Sequence, residues 1–181
     1  MSVREERFRR LHDDHVEAVR RYVWRRDPGL VDDVVAETFL TAWRKLERVP
    51  DDARPWLIGV ARNVRLNARR AARRRDLLTA RLAERRSDVP NDAADDGGDR
   101  STVISALNRL SSSDREVLLL SVWDELDRHA IATVLRCSPA NVSLRLHRAR
   151  KRFRSALEDI VGPNLTHGSF LIATGGVSDG R

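Results

Sequence analysis

A chain of 181 residues is long enough for one ordinary domain or two small ones, and its 34% charged residues outweigh a scant 5% of aromatics. The net charge of +7 is uneven, about +8 over residues 1–87, −4 over 88–100, +3 over 101–161 and zero beyond. One cysteine excludes an intrachain disulfide framework, and no apolar run is long enough for a secretion signal or a membrane span, so a soluble, cytoplasmic protein is expected.

The first predicted helix carries Phe8, Leu11, His15, Ala18, Val19 and Tyr22 on one stripe, with Arg, Asp and Glu between them. Asp27-Pro28-Gly29 interrupts it with turn chemistry. A second stripe follows at Val31, Val34, Val35, Thr38, Phe39, Ala42, Trp43 and Leu46, ending before Val49-Pro50-Asp51-Asp52. Pro55 opens a third helix near its first turn, where a missing N–H costs nothing. That helix packs Trp56, Leu57, Val60, Ala61 and Val64, and from Arg62 onward it turns basic through Arg65, Arg69, Arg70 and Arg73–Arg75. Leu77, Leu78 and Leu82 are able to prolong it.

Residues 76–100 change character. Ser87 to Arg100 holds Pro, Asn, a Gly pair and five aspartates, too little apolar surface to offset the entropy of ordering, and reads as a flexible acidic linker. Helical spacing then returns at Val103, Ile104, Leu107 and Leu110. Ser111–Ser113 offers capping oxygens to a helix whose core side is Val117, Leu118, Leu120, Ser121 and Val122. A short helix over 128–135 turns Ile131, Ala132 and Leu135 inward, and Arg136-Cys137 makes a turn. Ser138 caps the last helix, with Pro139 in its first turn. Val142, Leu146, Ala149 and Phe153 form its apolar face, and arginines occupy the others. The Gly/Ser/Thr-rich residues 161–181 read as a poorly ordered tail, although Phe170-Leu171-Ile172 is apolar enough to dock.

Two helices joined by a tight turn, the second capped and arginine-studded, meet the requirements of a helix-turn-helix, whose second helix enters the major groove. Nearly all the positive charge is arginine, which suits bidentate contact with phosphate and guanine. Side chains near the start of the helix, Asn141, Arg145 and Ser143, are placed to reach bases, and Arg148, Lys151 and Arg152 to reach phosphates. A basic amphipathic helix within an ordinary bundle would share the same pattern. No Gly-rich phosphate loop, serine elbow or paired His-x-x-x-His points to catalysis. His12 and His15 lack a third ligand and Cys137 reads as a small core residue, so no catalytic residue, metal, cofactor or small-molecule substrate is expected.

The segments DVVAETFLTAWRKL (33–46), PWLIGVARNVRLNARRAARRR (55–75) and LSSSDREVLLL (110–120), with the helix-turn-helix ending RLHRARKRF (145–153), resemble the extracytoplasmic-function group of the sigma-70 family. The resemblance covers residues 8–75 and about 103–157 in family order. It implies an all-α protein of two small helical domains: a region 2 bundle over 5–75 and a region 4 helix-turn-helix over 101–160, joined by the flexible linker 76–100. It further implies a non-enzymatic RNA polymerase sigma factor that directs core enzyme to promoters, with an anti-sigma protein as a further partner and no insertion into the membrane. Carried over by position, Asp33, Glu37, Phe39 and Trp43 resemble the surface that docks on the beta-prime clamp of core polymerase. Within that set Phe39 and Trp43 lie on the apolar stripe and Asp33 and Glu37 offer polar contacts. The loop 47–54, with Arg48 and Arg54, matches the place where an unstacked −10 base is captured. Arg62, Asn63, Asn67 and Arg70 match the following −10 helix, and Ser138, Asn141, Ser143, Arg145, Arg148, Lys151 and Arg152 the −35 reader.

The chain departs from the family pattern where Arg136 replaces a common glycine, Asn67 an aspartate and Ala130 a glutamate, and where Leu144 replaces small polar residues at a position that helical spacing leaves half-buried. Arg136 is strained by roughly 1 kcal/mol if its backbone is left-handed. The rival reading is a stand-alone helix-turn-helix regulator whose first domain serves dimerisation. An enzyme with an accessory DNA-binding domain is a third class, for which no constellation is present.

Overall fold

The computed structural model describes residues 2–82 and 98–161, with side chains at 2–76 and 102–161. These residues are helical, without a strand among them, and form two compact units. Of the linker expected over 76–100, residues 76–82 continue the third helix and 98–100 begin the fourth, whereas 83–97 and the tail from 162 lie outside the described residues.

The first unit is a bundle of α1 (Val3–Trp24), α2 (Val31–Arg44) and α3 (Ala53–Leu82), each packed on the other two. α1 starts earlier than its apolar stripe suggests because Ser2 and Glu5 form a capping box. The Ser2 hydroxyl accepts from the Glu5 N–H at 3.2 Å, and the Glu5 carboxylate accepts from the Ser2 N–H at 2.8 Å. The S-x-x-E signal was legible, and a search confined to apolar periodicity passes over it. Single 3₁₀ turns at Pro28–Leu30 and Leu46–Arg48 join the helices, so Leu46, buried as expected, sits in a turn and not in α2.

Val19, Tyr22 and Val23 of α1, the valine stripe with Phe39 and Ala42 of α2, and Leu57, Ile58 and Ala61 of α3 form the core. Each large aliphatic buried there contributes roughly 1.5–3 kcal/mol. Ile58 belongs to this core, whereas Trp56, Val60 and Val64 are only half-buried, so the inward face of α3 is rotated from the expected one. The buried Thr38 hydroxyl donates to the Val34 carbonyl at 2.6 Å, which makes its place in the apolar stripe tolerable.

The second unit contains α4 (Gly98–Arg109), α5 (Ser112–Val122), the first part of α6 (Arg128–Leu135) and α7 (Pro139–Val161), with α7 packed along α4 and α5. Its core is Ala106, Leu107, Leu110, Val117–Leu120, Ile131, Val142, Leu146 and Ala149. Val103, Ile104 and Val122, expected inside, are 36–45% exposed, and Leu119 is buried in their stead. In a four-residue apolar run such as Val117–Leu120, spacing cannot say which faces are covered, because successive residues point all round the helix and here all four are buried. The Arg115 guanidinium donates to the carbonyls of Leu107 (2.8 Å) and Asn108 (2.9 Å) at the end of α4. Both carbonyls lie in the last turn, where intrahelical donors run out; that of Leu107 also accepts from the Leu110 N–H at 3.2 Å, and a cation there complements the helix dipole.

Candidate nucleic-acid interface

Three surfaces carry the residues singled out by sequence. On α2, Asp33, Glu37, Leu40 and Arg44 recur at helical spacing on the side away from the core, and all four are exposed. Glu37 pairs loosely with Arg44 at 3.8 Å. Phe39 is not part of this surface. It is 4% exposed and lies beneath, edge-on to Phe8 (6.4 Å between ring centroids) and His12 (4.7 Å). Trp43 is half-buried, with Phe8 at 5.2 Å on one side and the Arg4 guanidinium over its ring at 4.6 Å. Leu40, 41% exposed between two charged members of this stripe, is its apolar one, and helical spacing from Asp33 and Glu37 is the signal that marks it.

On α3, at about 100° per residue, Asn63, Asn67 and Arg70 fall within about 60° of one another. The Arg70 guanidinium donates to the Asn67 side-chain carbonyl at 3.3 Å, which orients that amide. Arg62 lies well off this row and is half-buried. Arg54 is also half-buried and falls near the core side of the helix, whereas Arg48 is exposed in its 3₁₀ turn. The six candidates therefore do not converge: three share a face, and Arg48, Arg54 and Arg62 lie off it.

Arg65 and Arg69, counted among the basic residues of α3, face the other way. Arg65 Nη1 lies 2.8 Å from Asp27 Oδ2, and the Arg69 guanidinium 2.6 Å from Asp27 Oδ1. Asp27 was legible only as turn chemistry, because its partners lie some forty residues away in sequence.

The second unit presents the helix-turn-helix. Asp127 caps α6, its carboxylate accepting from the Ala130 N–H at 2.8 Å. α6 ends with the Cys137 N–H on the Ala132 carbonyl (3.0 Å) and the Arg136 N–H on that of Thr133 (3.4 Å), a Schellman closure. That closure requires a left-handed residue, and Arg136 supplies it at φ 53°. Ser138 caps α7 as expected, its hydroxyl accepting from the Asn141 N–H at 3.3 Å. Asn141, Arg145, Arg148 and Arg152 then form one exposed row along a flank of α7, and Leu144 and Lys151 face directly away from the core. Leu144 is 46% exposed and not half-buried as expected, because helical spacing sets it opposite Val142 and Leu146. Besides Ser138, two of the −35 candidates are engaged internally. The Ser143 hydroxyl donates to the Pro139 carbonyl at 3.2 Å on a half-buried side of the helix. The Arg152 guanidinium is paired with the carboxylate of Asp114 in α5.

Asp114 is buried, and that burial by itself would raise its pKa. Hydrogen bonds from Arg152 and Ser111, with the charges of Arg152 and Arg148, outweigh the burial and hold the carboxyl below its ordinary value. Ser111 caps α5, its oxygen accepting from the Asp114 N–H at 3.2 Å while its hydroxyl donates to Asp114 Oδ2 at 2.9 Å. The row on α7 is thus braced at its far end against the start of α5.

Residues 8–75 match the family model for sigma-70 region 2, and residues 100–153 the model for sigma-70 region 4. The chain is 35% identical over 160 residues to the ECF RNA polymerase sigma factor SigL of Mycobacterium tuberculosis, covering 84% of this chain and 90% of that protein. It belongs to the extracytoplasmic-function group of the sigma-70 family. As a sigma factor it directs RNA polymerase core enzyme to promoters and initiates transcription there. The RNA polymerase sigma factor CarQ of Myxococcus xanthus is 29% identical over 84% of this sigma factor and 90% of its own length. Among solved structures, CnrH in complex with the cytosolic domain of CnrY aligns with a TM-score of 0.54 at 28% identity, covering 84% of this chain and 88% of CnrH. The sigma factor RpoE of Bartonella quintana, solved with the anti-sigma factor NepR, aligns with a TM-score of 0.61 at 22% identity, a likeness of fold, over 83% of this chain and 96% of that one. The match to region 2 removes the reading of the first unit as a dimerisation module. No helix among the described residues is long and apolar enough to cross a membrane.

Proposed function

We propose that this sigma factor divides its work among the three surfaces. The exposed stripe Asp33, Glu37, Leu40 and Arg44 of α2, with the edge of Trp43, docks on the beta-prime clamp, and Phe39 supports it from below. Asn63, Asn67 and Arg70 read the −10 element as single strand, with Arg48, Arg54 and Arg62 lining its approach. Amides pair with base edges, and stacking and phosphate contacts offset the few kcal/mol of unstacking each base. α7 reads the −35 element. Asn141 and Arg145 reach base edges, Leu144 is suited to a thymine methyl group, and Arg148, Lys151 and the remaining donors of Arg152 hold phosphates. Ser138 and Ser143 serve the backbone of α7 and not the bases.

The observation that carries this reading is the separation of roles along each helix: the polar row lies off the core face, and its members are exposed except for the half-buried Asn63. The work requires binding and no chemistry from the chain itself, in the cytoplasm where polymerase and promoter meet. RpoE of Bartonella quintana was solved with an anti-sigma factor, and a protein of that class is the further partner of this sigma factor. In vitro transcription with purified core enzyme over a genomic promoter library is the test. A shared −35 and −10 motif upstream of the starts is expected, and absence of core binding would refute the assignment.

A further inference from the structure

In α3, the last fully buried apolar side chain among the described residues is Ala61. Among the described side chains from Arg62 to Asp76, Arg65 is the one that is buried, and what it meets there is a carboxylate. Asp27 is 9% exposed and receives two guanidinium groups, at 2.8 Å and 2.6 Å, from positions one helical turn apart. Counted at about 100° per residue, Asn63, Asn67 and Arg70 lie roughly opposite Arg65. The azimuth of the −10 row therefore depends on an ionic clamp from the α1–α2 turn, and two of the arginines of α3 are turned away from the strand that the row would meet.

We propose that Asp27 is a positioning residue for −10 recognition: it holds Arg65 and Arg69 off the DNA and so sets which side of α3 faces the bases. This rests on the −10 assignment made above. Arginines on a helix beside a polyanion will bind phosphate unless a nearer anion holds them, and a phosphate contact adds affinity without sequence information. A buried carboxylate with two partners is such an anion. By this account Asp27 trades non-specific affinity for selectivity.

The test uses Asp27→Asn, which keeps the size and one acceptor oxygen and removes the charge. Full-length protein in complex with core polymerase is titrated against fluorescent single strands bearing the cognate or a scrambled −10 sequence, at several salt concentrations. The preference for the cognate strand should fall by about tenfold, the scale of one lost base contact. Binding to the scrambled strand should strengthen at low salt and grow steeper with salt, by up to about 0.7 in the log–log slope for each arginine released. Equal weakening on both strands with an unchanged slope would mean that Asp27 only stabilises the fold, and would overturn the proposal. If Asp27→Asn does not fold, Arg69→Gln leaves the Asp27–Arg65 pair in place. An unchanged slope is expected, and a slope lowered by about 0.7 would show Arg69 already on phosphate and overturn the proposal. A wild-type complex that does not distinguish the two strands would instead refute the −10 assignment.

Discussion

Arg136 offers a direct measure of what the helix-turn-helix turn costs. Its φ of 53° places an L-residue with a full side chain in the left-handed region, where Cβ crowding costs roughly 1–2 kcal/mol. Glycine would remove that cost, at the expense of roughly 0.5–1 kcal/mol of additional backbone entropy in the unfolded chain. Arg136 is exposed, and among the described residues its guanidinium makes no hydrogen bond or ion pair, so little is lost with the side chain. Arg136→Gly should therefore stabilise the second unit by about 0.5–1 kcal/mol. For a unit of some sixty residues this is a rise in Tm of roughly 2–8 °C. Arg136→Ala retains the Cβ and should gain nothing. Calorimetry of the full chain would record the transitions, and hydrogen exchange at the Val142 and Leu146 amides would identify which belongs to the second unit. Equal stability of the glycine and alanine variants, or a loss in the glycine variant, would refute the strain argument.

The Asp114 carboxyl is depressed in the folded chain, so the stability it confers is present above its unfolded value near 3.8 and is lost as pH falls through the lower folded value. Asp114→Asn should cost on the order of 1.5–3 kcal/mol at neutral pH, as for a hydrogen bond to a charged group, and should flatten the acid limb of the unfolding curve below about pH 4. A steep acid limb in the variant would assign it to other carboxylates. Arg145→Ala should relax selectivity at one or two −35 positions at a cost of about 1–3 kcal/mol, measured on a panel of single-base promoter variants. Uniform weakening across the panel would make Arg145 a phosphate contact. Asn63→Ala should impair opening at −10 while affinity for core enzyme, measured by fluorescence titration, stays within twofold (~0.4 kcal/mol). A loss of core affinity would move Asn63 to the other surface.

The local plan was legible in residue order. Alternation of Val31, Val34, Val35 and Thr38 with charged residues is a helix with one buried face whatever surrounds it. Ser138-Pro139 is a helix start by its own capping chemistry, and the motifs of residues 33–46, 55–75 and 145–153 carried the family. The partners of the polar groups were not legible in this way. Whether Arg152 is a free cation or is bound to Asp114, whether Phe39 faces a partner or lies beneath the stripe, and whether Arg65 meets DNA or Asp27 each depends on a contact between residues distant in the chain.

Periodicity therefore determined that there are two helical units and, for helices such as α2 and α7, which side is apolar, because hydrophobic burial acts on neighbours three and four positions apart. Only the tertiary structure decided which charges are engaged. An arginine reads the same in sequence whether a phosphate or a buried carboxylate awaits it, and the difference arises when helices from opposite ends of a unit are brought within hydrogen-bonding distance.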